Sequence, residues 1–395
     1  MKELNIRLRS LAIFRQLHAD PVVTALMDYL GCIDRVELDE AVCRYGAFVS
    51  KLYSTGASSL AAYICSITCD NENPYIRLVG MGMKPSAQME KCVDMELSTL
   101  QAVADITPEK LRENLKWDGF LPEFSVEKLD IPGTYRQRCA NIGALGYGMY
   151  ARHRMFYIDT ANQIVPVQNP DAVRLADLVD YEREQKIIVD NTLALLHGKP
   201  AANILLTGDA GTGKSSTVKA IVNELYDQGL RILEVRKEQL SQIPGILDTL
   251  NTNPLKFILF IDDLSFQKDD DNFSALKAIL EGSVSAKSSN VVIYATSNRR
   301  HLVKESFSDR DGDDIHRNDT MQEIISLSER FGIHVTFQKP DKATYLDIVR
   351  HLANDRGVQM DEKELELEAE RFALGRGGRS ARAANQFIDS LLAAK

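Results

Sequence analysis

The sequence is poor in the residues that bind metals or form disulfides. It contains six cysteines and seven histidines among 395 residues, and the cysteines all lie in the N-terminal part. They are Cys32, Cys43, Cys65, Cys69, Cys92 and Cys139. None of them forms a C-x-x-C pair, and no histidine is spaced to complete a zinc site. We therefore expect reduced, buried thiols in a cytosolic protein and no structural zinc.

Long apolar runs and an excess of basic charge are also lacking. No run approaches the roughly 20 apolar residues that a membrane span needs. The first stretch carries Arg7, Arg9 and Arg15 and has no apolar core of the signal-peptide type. We therefore predict a cytoplasmic protein without a membrane partner. The net charge of −9 gives no support to a general electrostatic grip on nucleic acid.

With 44% hydrophobic residues, a chain of 395 residues can build two or three domains. Residues 1–130 carry apolar side chains at helical spacing, which predicts a helical N-terminal domain. Helices are expected over 41–53, 60–67, 97–106 and from Pro108 at a first turn to Trp117. The aromatic residues favour core packing over a binding surface; they are Phe48, Tyr53, Tyr63 and Tyr75. No catalytic constellation is recognisable in this region.

Residues 131–171 differ in character and are predicted to form a connector. Glycines cluster there without a phosphate-binding pattern, and the apolar runs 155–158 and 164–167 predict a small hairpin. The most basic local stretch carries Arg136, Arg138, Arg152 and Arg154. A contact with nucleic acid is one interpretation, but the charges follow no sustained pattern, which favours a solvated linker.

A phosphate-binding motif lies at the centre of the C-terminal part. It reads Gly208, Asp209, Ala210, Gly211, Thr212, Gly213, Lys214 and Ser215, followed by Ser216, and fits G-x-x-x-x-G-K-[ST]. A short apolar strand at 203–207 precedes it, and an amphipathic helix at 217–226 follows. Such a turn aims backbone N–H groups and a helix N-terminus at one anion. We predict that these nine residues bind a nucleotide, with Lys214 on the β- and γ-phosphates and Ser215 on Mg²⁺.

A second motif follows further along the chain. The continuous apolar run 257–261 is typical of a buried parallel strand, whose carboxyl end faces the ligand crevice. It ends in Asp262 and Asp263, and Asp262 lies 48 residues after Lys214, which leaves room for one strand between them. We predict that Asp262 holds Mg²⁺ and that Asp263 orients or deprotonates the attacking water.

A further buried strand, predicted over 291–295, leads to Thr296, Ser297 and Asn298. Because an amide both donates and accepts hydrogen bonds, Asn298 suits a sensor of the γ-phosphate. Residues 309–314 are rich in aspartate but lack the spacing of an EF-hand loop, so we expect an exposed acidic loop. A helix at 324–330 and a fifth strand at 332–337 complete this part, and Arg330 ends the helix.

The last part of the chain predicts three helices without a strand, at 344–352, 364–372 and 380–392. Ser380 is placed to cap the last helix. Arg379 and Arg382 lie at its start, where a cation opposes the helix dipole. This placement suggests an arginine directed at an anion, against the alternative of an ordinary surface residue.

The ordered set of motifs resembles the AAA+ ATPases over residues 172–395. The residues around the P-loop, at 293–302 and at 326–332 are similar to those of the bacterial AAA+ family catalogued as domain of unknown function 815. The resemblance implies an α/β fold, with an AAA+ type parallel-sheet P-loop ATPase core at 172–338 and a C-terminal helical lid at 339–395. The mainly helical N-terminal domain precedes them. It also implies ATP, in preference to GTP, and Mg²⁺ as ligands.

Individual roles follow from the same resemblance. Asp262 and Asp263 correspond to Walker B, and Asn298 to sensor 1. Arg330 is a candidate arginine finger, which would serve a neighbouring subunit, and Arg382 is a candidate sensor 2. The segment 178–181, which includes Val179, resembles the one that lies over adenine.

One departure from the family pattern concerns the second Walker B acid. Many AAA+ enzymes have Asp-Glu there, whereas this chain has Asp262 and Asp263. The side chain of Asp263 is one methylene shorter, so slow hydrolysis is expected. Asp-Asp also occurs in bacterial initiator and helicase-loader ATPases, so it does not argue for inactivity.

Three functions are compatible with these motifs. The favoured one is a homo-oligomeric ATPase that remodels or loads a protein partner held by the N-terminal domain. The second is a nucleotide-gated binding module with little hydrolysis. The third is a DNA-associated ATPase of the loader type that contacts nucleic acid through residues 136–154 or through Arg299 and Arg300, and the acidic net charge counts against it.

Overall fold

The computed structural model describes residues 1–264 except 34, 114, 116 and 118, together with 276–280, 289–298 and 329–393. The chain forms two compact units. The first comprises Met1–Arg152 and Thr252–Pro254, and the second His153–Asn251 and Leu255–Lys395. The connector predicted over 131–171 is therefore divided between the two units at residue 152.

The first unit is helical wherever it has regular secondary structure. Its α-helices span Lys2–Arg9, Pro21–Cys32, Leu38–Ser54, Leu60–Cys69, Pro74–Gly80, Ala87–Ala104, Pro108–Arg112, Ile131–Ala140, Ile142–Leu145 and Met149–Arg152. A 3-10 turn spans Arg15–Ala19. Side-chain oxygens cap several of these helices, and Asp20, Ser59 and Asn73 each accept a backbone N–H of the first turn.

The prediction that these aromatic residues pack in the core is only partly confirmed. Phe48 and Tyr75 are buried, and Tyr63 is half-buried with its hydroxyl donating to Asp20. Tyr53 contradicts the prediction, because its side chain is 59% exposed. It lies near the end of its helix, and its hydroxyl donates to the carbonyl of Glu123 at the surface.

The expected burial of the cysteines is also only partly correct. Cys32 and Cys69 are buried, Cys65, Cys92 and Cys139 are half-buried, and Cys43 is exposed. Cys43 lies on the helix Leu38–Ser54 between Ala41 and Tyr45, which are buried and one turn apart. Its side chain therefore falls on the outer face of the helix.

The helix that begins at Pro108 is shorter than predicted, because it ends at Arg112 and not at Trp117. The N–H of Leu115 bonds to the carbonyl of Arg112 at 2.8 Å, which tightens the chain into a turn. Arg112 also donates to the carbonyl of Leu121 at 2.8 Å. Residues 119–130 then continue without helix or strand.

The second unit is built on a seven-stranded sheet among the described residues. Its strands are β1 (Met155–Ile158), β2 (Ile164–Pro166), β3 (Ile204–Gly208), β4 (Leu230–Glu234), β5 (Lys256–Ile261), β6 (Val291–Ser297) and β7 (Ile333–Phe337). Their order is β2-β1-β4-β5-β6-β3-β7. Only the β1–β2 pair is antiparallel, so the predicted hairpin is confirmed, and β1 extends the parallel sheet beside β4.

Helices alternate with the strands of this sheet along the chain. Those before the lid span Glu182–Leu196, Lys214–Leu225 and Ile243–Asn251, and residues 276–280 are helical. Short 3-10 turns span Leu175–Asp177, Tyr226–Gln228 and Lys237–Gln242. The predicted helix at 324–330 lies partly outside the described residues. The acidic loop at 309–314 and the pair Arg299 and Arg300 lie wholly outside them.

The sheet core explains why the apolar runs are continuous. All seven side chains of β6 are buried, as are all but the first of β5, because helices cover both faces of a parallel sheet. Side chains of Leu206, Ile221, Phe260 and Tyr294 belong to one apolar cluster. This cluster packs the strands against the helices. The polar residues of the nucleotide motifs lie at the ends of these packed strands.

Three helices form the lid, at Lys342–Asp355, Glu362–Gly375 and Ala381–Ala393. Their apolar faces enclose a core that includes Tyr345, Ala369 and Phe387. Ser380 accepts the N–H of Ala383 at 3.1 Å, so the predicted cap is confirmed. Across the described residues of both units, no helix is long and apolar enough to span a membrane.

Candidate nucleotide-binding site

The glycine-rich loop joins the carboxyl end of β3 to the helix Lys214–Leu225. A Cβ at Gly208 would overlap the carbonyl oxygen of Phe337, so only glycine lets β3 pass β7 this closely. At the other end of the loop Gly213 has φ of +91° and precedes the first helical residue. Thr212, 1% exposed, donates to the carbonyl of Asp209 at 2.9 Å and pins the loop from within.

Lys214 is buried at the mouth of this loop. Its Nζ donates to the carbonyls of Gly208 and Asp209 at 2.8 Å each, and to Asn298 Oδ1 at 3.1 Å. Burial lowers the pKa of Lys214, and the carboxylate of Asp262 partly opposes that shift. A buried ammonium at this position can neutralise an anion without the screening that water would impose.

Of the two acids after β5, Asp262 contacts the P-loop. Ser215 Oγ donates to Asp262 Oδ1 at 2.6 Å, and Thr296 Oγ1 donates to the same oxygen at 2.6 Å. Asp263 has φ of +53°, a left-handed conformation that costs a non-glycine residue about 1–2 kcal/mol. Backbone strain of this kind concentrates at functional sites.

Asn298 connects Lys214 to Asp263. Its Nδ2 donates to Asp263 Oδ1 at 2.8 Å, and its Oδ1 accepts from Lys214. The amide thus both donates and accepts, and Lys214, Asn298 and Asp263 form one hydrogen-bonded chain. The sheet order creates this meeting, because β6 lies between β3 and β5.

The donors at this point suit Mg²⁺. Mg²⁺ prefers oxygen ligands, and the hydroxyl of Ser215 and the carboxylate of Asp262 provide them 2.6 Å apart. Within the described residues no group of three His, Cys, Asp or Glu side chains is placed to hold a metal ion. Mg²⁺ does not need such a group, because it retains waters and takes phosphate oxygens from a substrate.

The segment predicted to lie over adenine links the sheet to the lid. Val179 packs against the lid core, and Tyr181 packs against the sheet core. Tyr181 donates to the carbonyl of Gln338 at 2.5 Å, and its ring centroid lies 5.0 Å from that of Phe337. Asp180 and Tyr181 have consecutive positive φ values of 73° and 72°. Val179 therefore lies on a strained segment between the end of β7 and the lid.

The two lid arginines lie in different surroundings. Arg379 makes a two-pronged pair with Glu370, at 2.7 Å for each bond, so the anion it faces belongs to the lid itself. The N–H of Arg382 bonds to the carbonyl of Gly211 at 3.3 Å. Its charge is among the causes that lower the pKa of Lys214. The structure thus brings Arg382, the sensor-2 candidate, to the P-loop.

Arg330 lies at the amino end of the parallel strands, whereas the P-loop lies at their carboxyl end. It is half-buried and precedes β7, whose last residue, Phe337, pairs with Gly208. Because β7 runs parallel to β3 and rises about 3.3 Å per residue, Arg330 lies on the order of 20 Å from the P-loop along the strand. Its guanidinium therefore cannot reach the phosphate position of its own subunit.

Thr296 is a site residue that the sequence motifs did not single out. It is 2% exposed and contacts both acids. The predicted polar residue at this strand end was Asn298. Its spacing of two residues from Asn298 could have identified it, because residues two apart in extended backbone point to the same face.

Comparison with known proteins gives the family. The family model described as "Protein of unknown function (DUF815)" matches residues 151–395. This chain belongs to the DUF815 family. The resemblance found in the sequence is confirmed, and the match also includes the hairpin of β1 and β2. The structure also confirms the α/β fold with a largely parallel sheet, the C-terminal helices and the helical N-terminal region.

Several solved structures are similar to part of the chain. The Thermotoga maritima RuvB Holliday junction branch migration motor is 18% identical, with a TM-score of 0.37, over 55% of this chain and 63% of its own. The FIGL-1 AAA domain in complex with ADP is 15% identical, with a TM-score of 0.36, over 50% and 66%.

A chain of the E. coli MS115-1 HORMA:CdnC:Trip13 complex is 13% identical, with a TM-score of 0.37, over 55% of this chain and 90% of its own. This chain thus spans less than two thirds of the RuvB motor, and at such identities the likenesses concern the fold alone. Among curated proteins, none matches the chain.

Proposed function

We propose that this DUF815 protein binds ATP with Mg²⁺ and hydrolyses it. The observation that carries the proposal is the hydrogen-bonded network of Lys214, Ser215, Asp262, Asp263 and Asn298 at the carboxyl ends of three neighbouring strands. These groups lie 35 to 84 residues apart in sequence where they meet across strands. A strand merely capped by acids would not bring a buried lysine and an amide to the same point.

Each group has a defined part in phosphoryl transfer, which depends on positioning and on neutralising charge. The loop N–H groups and the Lys214 ammonium bind the phosphates. Ser215 and Asp262 hold Mg²⁺, which supplies positive charge at the phosphate oxygens when bound. Asp263 orients the attacking water and can accept its proton at a carboxylate oxygen. Asn298 donates to Asp263 without nucleotide and can donate to the γ-phosphate when ATP binds.

The same geometry supports slow turnover. The carboxylate of Asp263 is one methylene nearer to the backbone than a glutamate would be, and it is engaged by Asn298. This hydrogen bond occupies Oδ1, which leaves Asp263 fewer acceptor sites with which to orient a water molecule. We expect that binding of a γ-phosphate, which competes for the Asn298 amide, releases the carboxylate.

We further propose that the active form is a homo-oligomer. Support comes from the position of Arg330, which lies at the amino end of β7, the opposite strand end from its own P-loop. A guanidinium there can serve the phosphate site of a neighbouring subunit, as an arginine finger does. Turnover would then depend on assembly, and the cycle would drive remodelling or loading of a protein partner at the N-terminal unit.

The basic residues of the N-terminal unit do not favour nucleic acid as that partner. Arg136 pairs with Glu90 at 3.0 Å and with Asp94 at 2.6 Å. Arg138 and Arg152 both pair with Asp70, at 2.9 and 2.8 Å. These guanidiniums already face carboxylates of the same unit, so phosphate contacts would have to displace them.

The experiment that tests hydrolysis compares wild type, Asp263→Asn and, as a control, Asp227→Asn, which changes an exposed acid. ATP turnover is measured against protein concentration, with molecular mass measured in the same buffer. We expect Asp263→Asn to bind ATP within threefold of wild type and to lose at least 100-fold in turnover. Asp227→Asn should match wild type. Equal turnover in all three proteins would refute the role of Asp263.

Sharing of sites is tested by mixing two inactive variants. Arg330→Ala should bind ATP normally and lose at least 100-fold in turnover, whereas Lys214→Ala should fail to bind. A mixture contains neighbours in which an intact P-loop meets an intact Arg330, so part of the activity should return. If turnover of the mixture stays at the sum of its components, Arg330 does not act across subunits.

The second candidate function is a nucleotide-gated binding module. The hydrogen bond between Asn298 and Asp263 favours it, because it holds the water-orienting carboxylate in an engaged state. This function predicts tight ATP binding and near-zero turnover at every protein concentration. A single-turnover measurement distinguishes the two functions. A binding module would release its bound ATP unhydrolysed, whereas an ATPase would convert it to ADP.

A further inference from the structure

Thr296 makes a directional link between the two Walker B acids. It lies near the end of β6 and is 2% exposed. Its Oγ1 accepts the N–H of Asp263 at 2.9 Å and donates to Asp262 Oδ1 at 2.6 Å. A hydroxyl has one proton, so its proton points at Asp262 and a lone pair receives the N–H of Asp263.

The backbone explains why Asp263 needs this partner. β5 pairs with β6 as far as Ile261 opposite Ala295. The N–H of Leu264 then bonds to the carbonyl of Thr296 at 2.7 Å. Between these two points the acids turn out of the ladder, and Asp263 adopts its positive φ. Its N–H bonds to the Thr296 hydroxyl where a regular ladder would supply a carbonyl.

Asp262 is held from two sides. One carboxylate oxygen, Oδ1, accepts two hydrogen bonds. The donors are the hydroxyl of Ser215 from the P-loop helix and that of Thr296 from β6. Two hydroxyl donors on one oxygen restrict the rotation of the carboxylate. The orientation in which Asp262 faces Ser215, the position at which Mg²⁺ would bind, is therefore set jointly by the loop and by Thr296.

We propose that Thr296 is the positioning residue of the metal site. Its hydroxyl orients Asp262 towards Mg²⁺ and fixes the backbone of Asp263, so that the metal-holding and water-orienting acids move as one unit. Asn298, two residues further on the same strand face, holds the Asp263 carboxylate. The inference rests on the proposed Mg²⁺–nucleotide site, and it adds a residue whose contribution can be measured without hydrolysis.

The test measures ATP affinity with Mg²⁺ and with a chelator, by a fluorescent analogue or by calorimetry. Thr296→Val keeps the branched shape and removes only the hydroxyl. We expect it to reduce the gain in affinity that Mg²⁺ confers by at least fivefold, and to change the affinity in chelator by less than twofold. Thr296→Ser should restore most of the gain, because it returns the hydroxyl.

A matched control separates this role from a loss of folding. Thr192 is fully buried, and its hydroxyl contacts the carbonyl of Ile188 at 2.7 Å and the hydroxyl of Tyr294 at 2.8 Å. Thr192→Val therefore removes a buried hydroxyl away from the acids. It should leave the Mg²⁺ effect unchanged at a temperature at which all variants are folded by circular dichroism.

A double-mutant cycle identifies the route of the effect. If Thr296 acts through Asp262, Thr296→Val should change the Mg²⁺ effect by less than twofold once Asp262→Ala is present. In turnover assays, Thr296→Val should raise the Mg²⁺ concentration for half-maximal rate at least fivefold and lower kcat about tenfold. The KM for ATP at saturating Mg²⁺ should change less than kcat.

Failure of the inference is distinguishable from failure of the proposed function. A Thr296→Val protein with the Mg²⁺ response of wild type overturns the inference, even when wild type hydrolyses ATP. A wild type that binds Mg²⁺–ATP without turnover overturns hydrolysis, and the loss of the Mg²⁺ gain in Thr296→Val then still supports the inference. A wild-type affinity that does not respond to Mg²⁺ overturns both.

Discussion

Each of the two units buries a charged side chain that hydrogen-bonds to backbone groups, and the two side chains have different roles. Glu96 of the helical unit is 7% exposed and accepts N–H groups of three successive residues, Ala12, Ile13 and Phe14, at 2.7 to 3.2 Å. Lys214 of the second unit is 5% exposed and donates to two loop carbonyls. Glu96 ties a turn to a helix, whereas Lys214 also reaches Asn298 on another strand.

The arginines of the helical unit show the same contrast. Arg136, Arg138 and Arg152 are engaged by carboxylates of that unit. In the second unit, Asp262 and Asp263 meet hydroxyls and an amide at the ends of strands. Charge in the first unit therefore serves structure, and charge at the P-loop is arranged for a ligand. Substitutions in the two units should accordingly affect different properties.

The largest expected effect is the loss of nucleotide binding in Lys214→Ala. Removing the ammonium should lower kcat/KM for ATP about 1000-fold, or about 4 kcal/mol. The free energy of unfolding without nucleotide should stay within about 1 kcal/mol or rise, because burial opposes the charge. Chemical denaturation and ATP titration measure the two quantities. Lys186→Ala, at a side chain 74% exposed, is the control and should alter neither.

Alkaline pH extends this prediction. Burial lowers the pKa of Lys214 from its ordinary value of 10.5, so near that pH the unfolded chain binds more protons than the folded chain. Stability of wild type relative to Lys214→Ala should therefore rise as pH rises towards 10.5. A difference that falls with pH would contradict the stated cause of the shift.

A smaller effect, on stability, is expected for Gly208→Ala. The added Cβ would overlap the carbonyl of Phe337 in a backbone conformation with φ of +141°, at a cost of about 3 kcal/mol. Gly56 of the helical unit has φ of +70° and open space around it, so Gly56→Ala should cost only about 1 kcal/mol. Denaturation midpoints compare them. Equal costs would mean that β7 moves away from Gly208 easily.

The smallest of these effects is expected for Glu96→Gln in the helical unit. An amide presents N–H groups where the three backbone donors need an acceptor, so we expect a loss of about 2 kcal/mol in unfolding free energy. ATP affinity should not change. Glu3→Gln alters an exposed residue and should stay within about 0.5 kcal/mol. A Glu96→Gln protein of normal stability but weakened ATP binding would break the contrast between the units.

Much of the second unit was predictable because its signals are local. The continuous apolar runs predicted β5 and β6, and the glycine pattern predicted the loop before Lys214. The helical unit was harder to predict in detail. Helical spacing marked its helices, yet Tyr53 proved exposed and the helix from Pro108 ended at Arg112. Periodicity does not say where an amphipathic side chain finds its hydrogen-bond partner.

The hairpin illustrates a limit of a different kind. Its two strands were predicted from their apolar runs, but their place beside β4 was not, because edge pairing leaves no pattern in the strand itself. The roles of the basic residues were also beyond the sequence. Arg138 and Asp70 lie 68 positions apart, and only packing of their helices makes them partners.

By itself the sequence determined the P-loop, the two acids after a buried strand and the family, because each is a property of adjacent residues. Tertiary structure alone decided that β6 lies between β3 and β5. That order brings Asn298 to Lys214 across 84 positions and Thr296 to Asp262 across 34. The parallel direction of β7 places Arg330 at the amino end of the strands, away from the P-loop at their carboxyl end. The physical reason is that hydrogen bonds between distant side chains depend on which strands pair, and strand pairing follows from the packing of the whole core.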